Sequence, residues 1–301
     1  MTEQADLERT LRAILVELGP YRSDVVLIGG WVPYLYRHYG GFSAWGGSDS
    51  LTFELDVLVP RPLPADGRAT LARLLADSGF RPDTARGPSA VWVRDLEAGE
   101  KIEFIAPHRG TAHGQGRTVT LEGQPGLGAI PLAELEVLAE HTRMLALAPA
   151  YGLPAVEVRV PTLGAYAVNK GLTFVRRHTR VDTGGAPKMV KDLVYLCDLM
   201  QGGTDVVQAI TQDVEAVGRA SYAHADRVRC AGTNLRFAID GHLRHLVTDA
   251  ARMVNERGNA RSLAAEEYRL RGLLIDLEEI LLDAAERLTR FDPVPALADE
   301  Y

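Results

Sequence analysis

The stretch Leu51-Thr52-Phe53-Glu54-Leu55-Asp56-Val57-Leu58-Val59, closed by Pro60, reads as a β-strand whose apolar run is interrupted by two carboxylates at alternate positions. Successive strand side chains point to opposite faces, so Glu54 and Asp56 share one face. Two like charges among Leu, Phe and Val repel each other and lose hydration, an arrangement that is costly unless a cation neutralises it. Oxygen ligands of this kind suit Mg²⁺. The competing reading is an amphipathic edge strand with its polar face in water.

Working outward, Lys101-Ile102-Glu103-Phe104-Ile105 places Glu103 between apolar residues in the same manner, giving a third acid able to converge with the first two. Its plainer reading is a partner for Lys101 or a surface acid. Two-metal phosphoryl transfer needs such a carboxylate set, which holds its ions about 3.5–4 Å apart. Upstream, the short strand Val25-Val26-Leu27-Ile28 runs through Gly29-Gly30 into a helix over Trp31 to Tyr39. A turn of that type presents backbone N–H groups and a helix N-terminus to a polyphosphate.

The rest of the first half alternates helical and strand patterns: a helix from Asp6 to Leu18, a Gly/Ser-rich loop from Gly40 to Ser50 and a helix from Ala65 to Ser78. Strands over Ala90 to Val93 and near Val119 follow, with a helix ending near Leu147. This is an α/β domain with a small mixed sheet. Beyond Pro161 long helical patterns take over: Met189 to Met200, Asp205 to Val217, Tyr222 to Asn255 and Ser262 to Leu288. The expected architecture is two-lobed, residues 1–155 forming the α/β domain and residues 156–301 a helical bundle completing the cleft. At 301 residues and 46% hydrophobic, the chain can fill both cores.

The net charge of -7 disfavours a surface built for constitutive nucleic-acid binding. One segment runs against that balance. From Lys170 to Lys191 the six cations Lys170, Arg176, Arg177, Arg180, Lys188 and Lys191 face the single acid Asp182, a local charge of about +5. Cys197 and Cys230 show neither metal nor redox spacing, the N-terminus is acidic, and no apolar run approaches the ~20 residues of a membrane span. A soluble protein of the reducing cytoplasm is expected, with no membrane partner.

A Gly-Gly turn followed by an acid-x-acid strand resembles the signature of the DNA polymerase β superfamily. More closely, Gly29-Gly30-Trp31, Thr52-Phe53-Glu54-Leu55-Asp56, Lys170 and Lys188-Met189-Val190-Lys191-Asp192-Leu193 resemble the AbiEii/MenT-type nucleotidyltransferases, toxins of bacterial toxin–antitoxin pairs. The resemblance covers most of the chain. It implies transfer of a nucleoside monophosphate from an NTP to an acceptor, with a tRNA 3′ end as the acceptor and a cognate antitoxin as partner. It also implies Mg²⁺, or Mn²⁺, held by Glu54 and Asp56; Glu103, on its own strand pattern, is the candidate further ligand. Gly29, Gly30 and Thr52 would contact the triphosphate, and Lys170, as a phosphate-binding cation, with Asp192 would complete the catalytic set; the basic segment itself offers Arg176 and Arg177 to NTP phosphates or to the backbone of an RNA acceptor. The first acid departs from the family pattern, being Glu54 where Asp is usual. The extra methylene shifts a ligand oxygen by roughly an ångström, which octahedral Mg²⁺ tolerates poorly.

Two other functions use the same features. A small-molecule nucleotidyltransferase, of the antibiotic-modifying kind, shares the fold but needs an acidic pocket for a cationic acceptor, and the basic segment argues against it. A catalytically degenerate protein that binds nucleotide without turnover is the alternative in which Glu54 marks a lapsed metal site.

Overall fold

The computed structural model describes residues 3–42, 45, 54–60, 62–84, 87–94, 100–108, 118–178, 185–240, 243–256 and 261–291. Two compact units emerge, Met1–Phe42 with Asp49–Thr162 and Leu163–Tyr301 with Ser43–Ser48.

The first unit is built on a seven-stranded mixed sheet of β1 (Val26–Ile28), β2 (Glu54–Leu58), β3 (Arg81–Pro82), β4 (Val91–Val93), β5 (Lys101–Pro107), β6 (Val119–Thr120) and β7 (Gly128–Leu132). Strand order is β1-β2-β5-β4-β3, with β7 pairing to β5 and β6. β1 runs antiparallel to β2, while β2 and β5 are parallel. Parallel neighbours need a long crossover, and here it carries α3 (Leu71–Asp77) with the β3–β4 pair. One face of the two central strands is dry: Leu55, Val57, Ile102 and Phe104 are almost fully buried. Burial of each such side chain contributes about 1.5–3 kcal/mol. Around the sheet lie α1 (Glu3–Glu17), α2 (Trp31–Tyr39) and the short α4 (Glu136–Glu140). α1 turns Leu7, Leu11, Ile14 and Leu15 inward, a stripe of helical period.

A buried polar network fixes these helices. The guanidinium of Arg12 donates to Glu8 Oε1 at 2.8 Å, to the Ala148 carbonyl at 2.7 Å and to the Tyr39 hydroxyl at 2.9 Å. Tyr34 donates to the second Glu8 oxygen at 2.7 Å, and Tyr39 donates to the first. A buried guanidinium is tolerable only when its donors are satisfied in this way. Burial raises the Glu8 pKa, but the hydrogen bonds from Tyr39, Tyr34 and Arg12 outweigh it and leave the carboxyl below its ordinary value. Burial, with the Glu8 hydrogen bond, pushes the Tyr39 hydroxyl up to about 12.

The second unit is helical: α5 (Leu163–His178), α6 (Gly185–Met200), α7 (Thr204–Ala220), α8 (Tyr222–Ile239), α9 (Arg244–Glu256) and α10 (Leu263–Phe291). α10 buries Leu270, Leu274, Leu277, Leu281 and Ala284 completely, at spacings of four and three that keep one face inward. Ser221 caps α8 by accepting from the His224 amide at 3.1 Å. α5 and α8 approach closely at Gly171, where a Cβ would stand 2.9 Å from Ala231 Cβ. Among the described residues no helix is long and apolar enough to cross a membrane.

Besides β3 and β7, which the sequence does not mark, three elements differ from the sequence expectation. The segment ending at Leu147 is a strand, not a helix: β8 (Thr142–Leu147) forms an antiparallel hairpin with β9 (Val156–Pro161). The period-two alternation of Val156-Glu157-Val158-Arg159-Val160, with its valines buried, is what selects a strand there. α3 begins at Leu71 rather than Ala65, because Asp66 and Gly67 adopt left-handed backbone and Thr70 supplies the N-cap, accepting from Arg73 N at 3.3 Å. The single helix expected from Tyr222 to Asn255 is two helices, with α8 ending at Ile239.

Candidate functional site

On the exposed side of β2 and β5 the register sets Glu54 beside Lys101 and Asp56 beside Glu103. Paired residues in neighbouring strands point the same way, so all four lie on the face opposite Leu55 and Ile102. β2 lies between β1 and β5 and so is not an edge strand, although β1 pairs with it only from Asp56 to Leu58 and Glu54 is left in water. Glu54 is the most exposed of the three acids, its side chain 55% accessible, and that of Glu103 is 22% accessible. Three carboxylates against one ammonium leave this quartet with two surplus negative charges.

Lys101 lies within that surplus. Its Nζ donates to Glu54 Oε1 at 3.1 Å and stands 3.6 Å from Glu103 Oε2. Burial lowers the Lys101 pKa, but the hydrogen bond to Glu54 and the charges of Glu103 and Glu54 more than offset this and raise it above the ordinary lysine value. Glu103 thus has the lysine partner that the plainer reading gave it, and it also sits beside Asp56 on the neighbouring strand.

Asp56 is held against the Gly-Gly turn. β1 pairs Ile28 with Asp56, and the chain then turns at Gly29, whose φ is +77°. A Cβ on Gly29 would stand 2.2 Å from Asp56 Oδ2, an impossible approach. Glycine is therefore required twice over, by its left-handed backbone and by the carboxylate packed on its Cα. Gly30 has ordinary helical geometry, φ −69°, and is the N-cap residue of α2. The turn that the sequence marks for a polyphosphate and the acid that it marks for a metal are in contact.

The second cluster lies wholly within the helical unit. Lys170 on α5 donates to Asp192 on α6 at 2.7 Å. Both are buried, with side chains 11% and 1% accessible. Tyr166, one turn before Lys170, and Tyr195, nearly one turn after Asp192, place their ring centroids 5.5 and 5.3 Å from the ammonium. Cation–π attraction at such distances, in a desolvated setting, adds to the ion pair. The tyrosines were not singled out in the sequence, although Tyr166 stands at i−4 from Lys170 and Tyr195 at i+3 from Asp192, the spacings that share a helix face.

Lys188 and Lys191 are exposed on α6. Arg176 and Arg177 fall on the last turns of α5, with side chains outside the described residues, and Thr52 and Arg180 also lie outside them.

The donors of the sheet are of the kind a divalent cation takes, hard oxygens of three carboxylates on one face of two adjacent strands, but they do not all lie within 4.8 Å of one another while Lys101 is paired with Glu54 and Glu103. The fit requires Lys101 to leave Glu54 and Glu103, a movement open to a side chain 29% accessible. Among curated proteins and solved structures, none matches the chain. A nucleotidyltransferase family model matches residues 6–227, a span that includes Gly29-Gly30, the acid-x-acid strand, Glu103, Lys170 and Asp192. That span is well over half of the chain, which belongs to the nucleotidyltransferase family, enzymes of nucleotidyl transfer.

Proposed function

We propose that this nucleotidyltransferase uses a divalent metal, Mg²⁺ or Mn²⁺, to move a nucleoside monophosphate from an NTP to a tRNA 3′ end, as the toxin of a cytoplasmic toxin–antitoxin pair. The observation that carries the metal-dependent reading is the approach of Asp56 to Gly29 on a sheet face that also bears Glu54 and Glu103. A bound divalent ion supplies charge neutralisation at the triphosphate and lowers the pKa of the attacking hydroxyl. Glu54, Asp56 and Glu103 would hold it. Gly29 and Gly30 leave the backbone open for the triphosphate beside the N-terminus of α2.

Lys170 supplies a positive charge held by Asp192 and two tyrosine rings, suited to offset phosphate charge as the leaving group departs. The tRNA acceptor and the antitoxin rest on the resemblance to the AbiEii/MenT-type proteins and on the basic segment from Lys170 to Lys191, whose exposed members Lys188 and Lys191 suit a polyanion.

One observation favours the degenerate alternative: Lys101 is already paired with Glu54 and Glu103. Incubation with each labelled NTP, Mg²⁺ or Mn²⁺ and total RNA separates the readings. Label in tRNA that is lost in Asp56→Asn, with folding intact, is the expected result. Label in a small molecule would replace the acceptor, and retained NTP binding with no transfer to anything would establish the degenerate reading.

A further inference from the structure

We propose that Lys101 is a built-in counter-ion of the carboxylate face, occupying Glu54 and Glu103 when no metal is bound and competing with the divalent ion for them. The inference rests on the metal-site reading above and adds a gate to it.

Its basis is geometric. Lys101 is the direct cross-strand neighbour of Glu54 and lies two residues before Glu103 on the same strand, so one ammonium reaches both acids without leaving its face. A surface lysine paired with one acid would be unremarked. This one bridges two of the three acids that the metal needs, while Asp56 is held by the Gly29 turn instead. The three acids are thus divided into one held by the backbone turn and two held by a movable cation.

The division has a consequence for substrate order. A free divalent ion must displace the ammonium, which then loses both of its partners. An incoming metal–NTP complex brings the displaced ammonium a new anionic partner in the phosphates. Metal binding by the protein alone is therefore weakened, and metal binding together with nucleotide is favoured. A sheet face bearing three acids avoids being permanently loaded with metal, and self-repulsion on that face is relieved in the meantime.

The test is titration of the full-length protein with MnCl₂ in the absence of nucleotide, followed by electron paramagnetic resonance of the free ion. Lys101→Met should bind Mn²⁺ about five- to tenfold more tightly than the unaltered protein, the upper figure corresponding to about 1.4 kcal/mol of competing ion pair. Lys101→Arg, which keeps the charge, should stay close to the unaltered protein. Lys101→Gln offers the same neutral comparison should the methionine variant fail to fold, and circular dichroism checks that each variant is folded. Unchanged or weaker Mn²⁺ binding in both neutral variants overturns the counter-ion role, as does an arginine variant that gains affinity as the neutral ones do. Asp56→Asn distinguishes the two layers: it should lose Mn²⁺ binding, and if it binds as the unaltered protein does, the metal-site reading itself fails and the gate falls with it.

Discussion

The two lysine–carboxylate clusters of this protein are built on opposite terms. Lys101 meets Glu54 with side chains 29% and 55% accessible, in a group that keeps surplus negative charge. Lys170 meets Asp192 with side chains 11% and 1% accessible, the ammonium between two tyrosine rings. Water screens the first pair and leaves it free to exchange partners, whereas the second has been desolvated and holds because each charge is the other's compensation. An open pair suits a place where a ligand arrives. A closed pair holds its charge in one fixed position.

The sharpest way to break this contrast is to remove one lysine at a time. Lys170→Met strands the Asp192 carboxylate in the helical core and should cost about 3–5 kcal/mol in urea unfolding. Lys101→Met should cost under about 1 kcal/mol, because its partners remain hydrated. Equal losses would show that the two pairs are energetically alike despite their burial.

A second change probes what holds Asp56. Gly29→Ala places a side chain at left-handed φ, worth about 1–2 kcal/mol of backbone strain, and drives its Cβ into the Asp56 carboxylate. Nucleotidyl transfer should fall at least tenfold through the displaced carboxylate, more than the loss in stability alone explains. An alanine variant of unchanged activity would detach the turn from the site.

Acid extends the comparison to a third pair, Glu8 with Arg12, which is buried like that of Lys170. The folded-state pKa of Glu8 lies below the ordinary value of 4.5, so its contribution to stability is present above that pH and is lost as pH falls through the folded value. Glu8→Gln should therefore be less stable than the unaltered protein at neutral pH, and the two should converge as pH falls below 4.5, in thermal unfolding at successive pH values. A gap that widens in acid would reverse the assignment. The smallest effect is that of salt: 1 M NaCl should erase most of the Lys101→Met penalty and leave that of Lys170→Met nearly intact, since the Debye length is then about 3 Å and only the exposed pair is screened.

Much of the first cluster was legible because strand alternation is local. Glu54, Asp56 and Glu103 were assigned to one kind of face from their neighbours alone, and the helix from Trp31 to Tyr39 was bounded by its glycines. The β8–β9 hairpin departs from the helical expectation although Val156 to Val160 alternates cleanly, since the segment before it carries no turn signal until Pro149 and a strand's identity depends on its partner. Tyr166 and Tyr195 were invisible for a similar reason: nothing in one helix states which residue of another it will face.

By itself, then, the sequence determined the residue types and their periods: acids at alternate strand positions, a glycine pair before a helix, a basic stretch in an acidic chain and the order of sheet before bundle. Only the tertiary structure decided the pairings. That Lys101 bridges Glu54 and Glu103, that Asp56 packs on Gly29 and that Lys170 is enclosed with Asp192 all depend on strand register and helix contact. Periodicity fixes the face on which a side chain lies, but its partner is set by chain segments distant in sequence, whose approach is governed by the packing of the whole unit.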